Sequence, residues 1–144
     1  MRCTFNEARD HMLKVFKDAW DPTGFPAVYP GKANDPDNGG DTPSANVWAR
    51  ATIRHADGFQ SSLTGPLEEL KRHTRIGVVI IQVFGKVGDG STAAYDAAQI
   101  VANAFEKSRG IPVWFRRVRI NEIGTRGPYD QINVLADFTY DDVR

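Results

Sequence analysis

The nine residues Ile76-Gly77-Val78-Val79-Ile80-Ile81-Gln82-Val83-Phe84 constrain the fold most, because six of them are β-branched and only Gln82 is polar. Such a run reads as a central strand covered on both faces. It turns through Gly85-Lys86-Val87-Gly88-Asp89-Gly90 into an alanine-rich stretch. There Ser91 or Thr92 is expected to cap a helix with Ala94, Ala98, Val101, Ala102 and Phe105 as its apolar stripe, ending at Gly110.

Two strands are predicted after that helix. In Gln131 to Tyr140, Ile132, Val134, Ala136, Phe138 and Tyr140 alternate with Gln131, Asn133, Asp137 and Thr139, so one face is core and the other wet. In Ile111 to Ile123 the parity changes: Val113 and Phe115 share one side, Val118 and Ile120 the other. One extra residue near Arg116-Arg117 would return all four to the same side, so a β-bulge is expected there. Gly124 to Pro128 supplies the turn of an antiparallel hairpin.

The front half adds a helix and a further strand. Thr4 and Glu7 have capping-box spacing, and Phe5, Ala8, Met12, Phe16 and Ala19 recur with helical period, widened by Leu13 and Trp20. Asp21-Pro22-Thr23-Gly24 ends the helix, and Phe25 to Tyr29, interrupted by Pro26, suits a short edge strand. Val47 to His55 alternates as a half-buried strand, with Trp48, Arg50 and Arg54 on the face opposite Val47, Ala49, Ala51 and Ile53. Residues 31–46 and 57–75 read as long exposed loops, the second with a helical turn at Leu67 to Lys71. The whole, residues 1–144, is expected to be one α+β domain, a mostly antiparallel sheet with two main helices packed on it.

Composition removes several classes of function. Eighteen basic and eighteen acidic residues cancel, so nothing global draws the chain to nucleic acid or to an anionic membrane. A lone Cys3 and the lack of an apolar run of membrane length lead us to expect a soluble protein made in a reducing cytoplasm. Candidate chemistry is thin. Lys86 precedes its glycines where a phosphate loop requires the reverse order, so an ordinary strand-to-helix connection is preferred. Asp35, Asp37 and Asp41 lack the closing bidentate Glu of a calcium loop, with Asn46 in that place. His11, His55 and His73 have no cysteine or spaced ligand to complete a zinc site, and surface or strand-end histidines are expected. No catalytic triad, cofactor site or metal site is expected. Arg116, Arg117 and Arg119 beside Trp114 and Phe115 suit either nucleic acid or, preferred at zero net charge, carboxylates such as Glu122 or Asp137 or a neighbouring subunit. Trp48 reads as second-face core or as an interface anchor.

Several stretches together resemble a known family. Thr4 to Asp10, Trp48-Ala49-Arg50-Ala51-Thr52-Ile53-Arg54-His55, Arg75 to Phe84, Gly88-Asp89-Gly90, Val113 to Gly124 and Val134 to Val143 are similar to the tail-terminator, or tail-completion, proteins of long-tailed phages and prophages. Residues 31–46 depart from that pattern in being longer and more acidic.

The resemblance implies a structural virion protein and no enzyme. It implies a hexameric ring on the head-proximal end of the tail tube, which stops tube growth and offers a surface for head joining. The partners would be the tail tube protein and a head-completion or connector protein, with DNA passing through the lumen without specific binding and no membrane contact. Assembly would take place in the host bacterial cytoplasm. On that reading Phe59, Gln60, Leu63, Arg72 and Arg75 are candidate tube contacts. Trp48, Arg50 and Arg54, with Asp137, Asp141 and Asp142 as carboxylate partners, are candidate subunit contacts. A connector or head-completion neck protein is the alternative, ahead of a small nucleic-acid- or phosphate-binding enzyme.

Overall fold

The computed structural model describes residues 4–29, 46–56, 59–60, 72–88, 90–108 and 113–143. The first helix, α1 (Phe5–Trp20), begins where its cap stands: Thr4 is extended and its hydroxyl accepts the Glu7 amide at 3.2 Å. Glu7 returns to the Thr4 hydroxyl instead of its amide, a variation on the capping box. Ala8, Met12, Phe16 and Trp20 form the buried stripe. A 3-10 turn, Asp21–Thr23, and Gly24 in the left-handed region at φ 76° end the helix.

The strands are β1 (Ala27–Val28), β2 (Val47–His55), β3 (Phe59–Gln60), β4 (Arg72–Lys86), β5 (Trp114–Arg126) and β6 (Tyr129–Val143), with the second helix, α2 (Ser91–Lys107), between β4 and β5. They make one sheet in the order β1-β2-β4-β6-β5, antiparallel except for the parallel β1–β2 pair. β3 also pairs β4, continuing the line of β2. The short Pro-flanked β1 sits at one edge, as expected of a segment that cannot supply a full ladder. The β5–β6 pairing shifts register between Arg116 and Arg119, where Arg117 has φ 52°. This bulge puts Phe115 opposite Phe138 and Ile120 opposite Val134, on one face of the sheet as the parity change predicts, with Phe115 and Val118 packed against the core and Ile120 left exposed.

Both helices lie on one face of the sheet. Val47, Ala49 and Ala51 of β2, Val79, Ile81 and Val83 of β4, and Ile132 to Tyr140 at alternate positions of β6 meet the stripes of α1 and α2. The expectation that both faces of β4 are covered holds only at its Phe84 end, where Trp48 and Val28 pack on the second face. Its even side, Ile76, Val78 and Ile80, is only half-buried, and β-branching there serves the pleat more than a second core. β4 also starts at Arg72, not Arg75, because β3 and the far end of β6 pair its polar first residues.

The α2 cap differs too. Gly90 is the N-cap with no side-chain bond, and Ser91, already helical, donates to Asp130 Oδ2 at 2.6 Å. The glycines before it answer to packing. A Cβ at Gly90 would overlap the Asn46 carbonyl oxygen, and one at Gly85 would stand 2.6 Å from the Ala94 Cβ. Lys86 N donates to that same Asn46 oxygen at 2.7 Å, which ties the turn to the start of β2.

Candidate interaction surface

The face of the sheet away from the helices carries an ordered pattern across its strands. Register aligns Arg54, Val78, Asp137 and Arg116 in one row, and Thr52, Ile80, Leu135 and Arg119 in the next. Val78, Ile80 and Leu135 thus run along the middle, interrupted by Asp137, with arginines on β5 in both rows and on β2 in the first. A groove of about 560 Å³ opens here, lined by Arg54, Ile76, Val78, Arg116, Arg117, Arg119 and Asp137 among others. Asp137 is shared, with Arg119 Nη1 at 3.2 Å and Arg117 Nη1 at 3.4 Å. Arg116 Nη2 donates to Thr139 Oγ1 at 2.8 Å. Arg54 is exposed and has no ion-pair partner among the described residues. This is an electropositive trough with an apolar floor, suited to adhesion. Among the described residues no three His, Cys, Asp or Glu side chains are grouped to hold a metal.

At the other end of the same face an aromatic cluster closes over the sheet. The Trp48 ring stacks on Phe84 at 4.3 Å between centroids, with Tyr129 edge-on, and Val28 packs beside them. Arg50 donates from Nε to Gln82 Oε1 at 2.7 Å and lies 6.0 Å from the Phe84 ring centre.

The decisive comparison is with protein families: a family model described as phage tail terminator protein matches residues 8–135. The chain belongs to the phage tail terminator family. Its role is accordingly structural, as a component of a phage tail. One solved structure shares the fold at a TM-score of 0.60 and 18% identity, covering 92% of this chain and 94% of that one. No curated protein matches. No helix among the described residues of this tail terminator is long and apolar enough to cross a membrane.

The terminator's expected contact residues fall in different places. Phe59 and Gln60 form β3 and Arg72 begins β4, placed by backbone alone, while Leu63 lies outside the described residues. Arg75 is not in a loop: it belongs to β4 on the helix side, and its Nε is 3.5 Å from Asp142 Oδ2, an ion pair without a linear hydrogen bond. Trp48 is 4% exposed, so it is second-face core, not an exposed anchor. Arg50 and Arg54 share its face as parity requires. The carboxylates expected to pair with them across subunits have partners within the chain: Asp137 has Arg117 and Arg119, Asp142 has Arg75, and Asp141 accepts from Thr74 Oγ1 at 3.1 Å. The calcium-like aspartates and the turn at Leu67 to Lys71 lie outside the described residues. Sequence reading missed the trough floor. Its signal was Ile76 and Val78, which the apolar run disguised as a covered face of β4.

His55 is not a plain surface histidine. It stacks on Phe5 at 4.6 Å and its Nε2 is 2.8 Å from the Tyr140 hydroxyl. Burial, with Arg75 nearby as the lesser cause, lowers its pKa, and burial with Lys14 lowers that of His11. A histidine with a depressed folded pKa binds protons more readily when unfolded. Stability is therefore fully present above about pH 6.5, the unfolded value, and declines as pH falls through the folded values. Urea midpoints measured from pH 8 to pH 5 are expected to decline, and to decline less for H11Q/H55Q.

Proposed function

We propose that copies of this chain form a hexameric ring on the head-proximal end of the tail tube, stopping tube growth and presenting a surface for head joining. The family match over residues 8–135 carries the reading. Its support in the fold is a single sheet with helices on one face and an adhesive trough on the other, and the reading requires no catalytic step. Zero formal charge suits a lumen through which DNA slides without being gripped. We assign the tube contact to the end of the sheet formed by Phe59, Gln60 and Arg72 with Leu63 in the connection between them. Arg75, held by Asp142, is left out of it.

The test is a tube-growth assay. Tail tube protein is allowed to polymerise with and without this chain, and lengths are read by electron microscopy. We expect arrest of growth with a ring seen at one end only, and loss of arrest in R72E. Tubes that lengthen equally in both samples would overturn the assignment, and a ring binding only head-completion protein would make the chain a neck connector.

A further inference from the structure

We propose that the arginine trough is the seat for the acidic segment 33–45 of a neighbouring copy of this chain. The inference rests on the ring reading and deepens it by naming which surfaces meet.

The trough has unspent positive charge. Among the described residues, four guanidinium groups, from Arg54, Arg116, Arg117 and Arg119, face one carboxylate, Asp137. Among the described residues that carboxylate lies within ion-pair distance of Arg117 and Arg119 alone. The occupant must therefore bring carboxylates of its own, and small or apolar groups to lie on Ile76 and Val78. Segment 33–45, Ala-Asn-Asp-Pro-Asp-Asn-Gly-Gly-Asp-Thr-Pro-Ser-Ala, has Asp35, Asp37 and Asp41, no basic residue, and small side chains between them. Nucleic acid fits less well. Asp137 stands within the trough and the floor is apolar, which a continuous, hydrated phosphate backbone does not match.

Placement in the sheet points to a second copy. The chain leaves the described structure after Tyr29, beside the edge strand β1, and returns at Asn46, the start of β2. The arginines Arg116, Arg117 and Arg119 belong to β5, at the opposite edge. Complementary features on opposite edges of one protomer join copies head to tail, and such a contact closes into a ring when its rotation permits.

Reach within one chain is marginal by comparison. Crossing four inter-strand gaps from β1 to β5 takes about 19 Å, and the eight residues from Asn46 to Arg54 along β2 take about 26 Å more. Half of the sixteen residues 30–45, fully stretched, spans only about 28 Å and has to return. A neighbour whose β1 edge lies beside β5, offset along the strands, brings the segment to the trough without that extension.

The experiment measures mass by light scattering over a concentration series, at low and high salt, on the full chain and three variants. These are R54E/R116E, D35K/D37K/D41K and the two sets combined; R54Q/R116Q repeats the first set without reversing charge. We expect the wild type to associate. Each reversal should raise the half-association concentration roughly tenfold or more, and the combined set should restore association, which also shows that the variants fold. In a Cys3→Ser background, D37C/R116C should oxidise to covalent multimers.

A disulfide closed within monomers would overturn the neighbour assignment. So would unchanged association in both reversal sets, which leaves the ring standing and the seat wrong. Loss of short duplex DNA binding in R54E/R116E with unchanged mass would make the trough a nucleic-acid surface instead. A wild type that stays monomeric at every concentration, with or without tube protein, would remove the ring reading itself.

Discussion

Gly77→Val is expected to destabilise the fold by about 3 kcal/mol or more and to send most of the expressed protein into the insoluble fraction. Strand propensity argues for the reverse. Valine is favoured over glycine in a central strand by up to about 1 kcal/mol, and β-branched residues surround the position. Sterics decide the sign. Gly77 pairs His55 on one side and Phe138 on the other. A Cβ there would overlap the Arg54 carbonyl oxygen, stand 2.5 Å from Phe138 Cζ and 2.9 Å from His55 Cα. Two of those three neighbours are backbone of an adjacent strand and cannot move without breaking the β2–β4 ladder. The third is a ring at 1% exposure, edge-on to His55 at 5.0 Å and stacked on Tyr140 at 6.0 Å. Gly77→Ala meets the same atoms with less bulk and should cost about 1–3 kcal/mol. Urea unfolding of both variants checks the order. Wild-type stability in Gly77→Val would mean that Phe138 has room to turn aside and that propensity governs the site.

That glycine marks where sequence reasoning stops. A helix cap, a parity change and a strand period are local signals, and each was legible: Thr4 caps α1, the bulge at Arg116 to Arg119 reunites Phe115 with Ile120, and β6 alternates. Close approach is a property of two segments, so Gly77 could be read only as a permissive residue in an apolar run. The polar start of β4 was hidden for the same reason. Arg72-His73-Thr74-Arg75 has no strand pattern of its own, and its place comes from pairing with β3 and with Tyr140 to Val143. Ser91 carried a true helix-start signal with the wrong partner, because the hairpin end of β6 puts Asp130 within 2.6 Å of it. The open face of β4 was misjudged because continuous β-branching cannot distinguish two covered faces from one. The trough needed register, since only pairing across four strands brings Arg54 into line with Arg116.

Trp20→Ala is expected to have the second large effect, about 3–5 kcal/mol, and to change how the molecule associates as well as how firmly it folds. Trp20 is 1% exposed at the end of α1, stacked on Phe16 at 5.6 Å and tilted against Phe25 at 6.1 Å. Its Nε1 donates to the Phe25 carbonyl at 2.9 Å and lies 3.2 Å from that of Pro26. One side chain therefore fills the core and ties down the segment leading to β1. That segment matters because Ala27 and Val28 cover the outer edge of β2, pairing Ala49 and Arg50 in parallel, with the Pro26 carbonyl accepting from Ala49 N at 3.2 Å. Removing the indole leaves a cavity, takes the donor from the Phe25 carbonyl, and leaves the two-residue strand to its pairing with β2 and the packing of Val28 beside Trp48 and Phe84. The freed amides and carbonyls of β2 would then be open to pair with another chain. Trp20→Phe separates the two contributions: it keeps most of the core volume, loses the donor, and should cost about 1–3 kcal/mol. Urea midpoints with light scattering at matched concentration make the comparison. We expect Trp20→Ala to form irregular, salt-insensitive aggregates, unlike the salt-sensitive association through the arginine trough. Trp20→Ala protein with wild-type mass and midpoint would show that β1 is held without the indole, by its own pairing to β2.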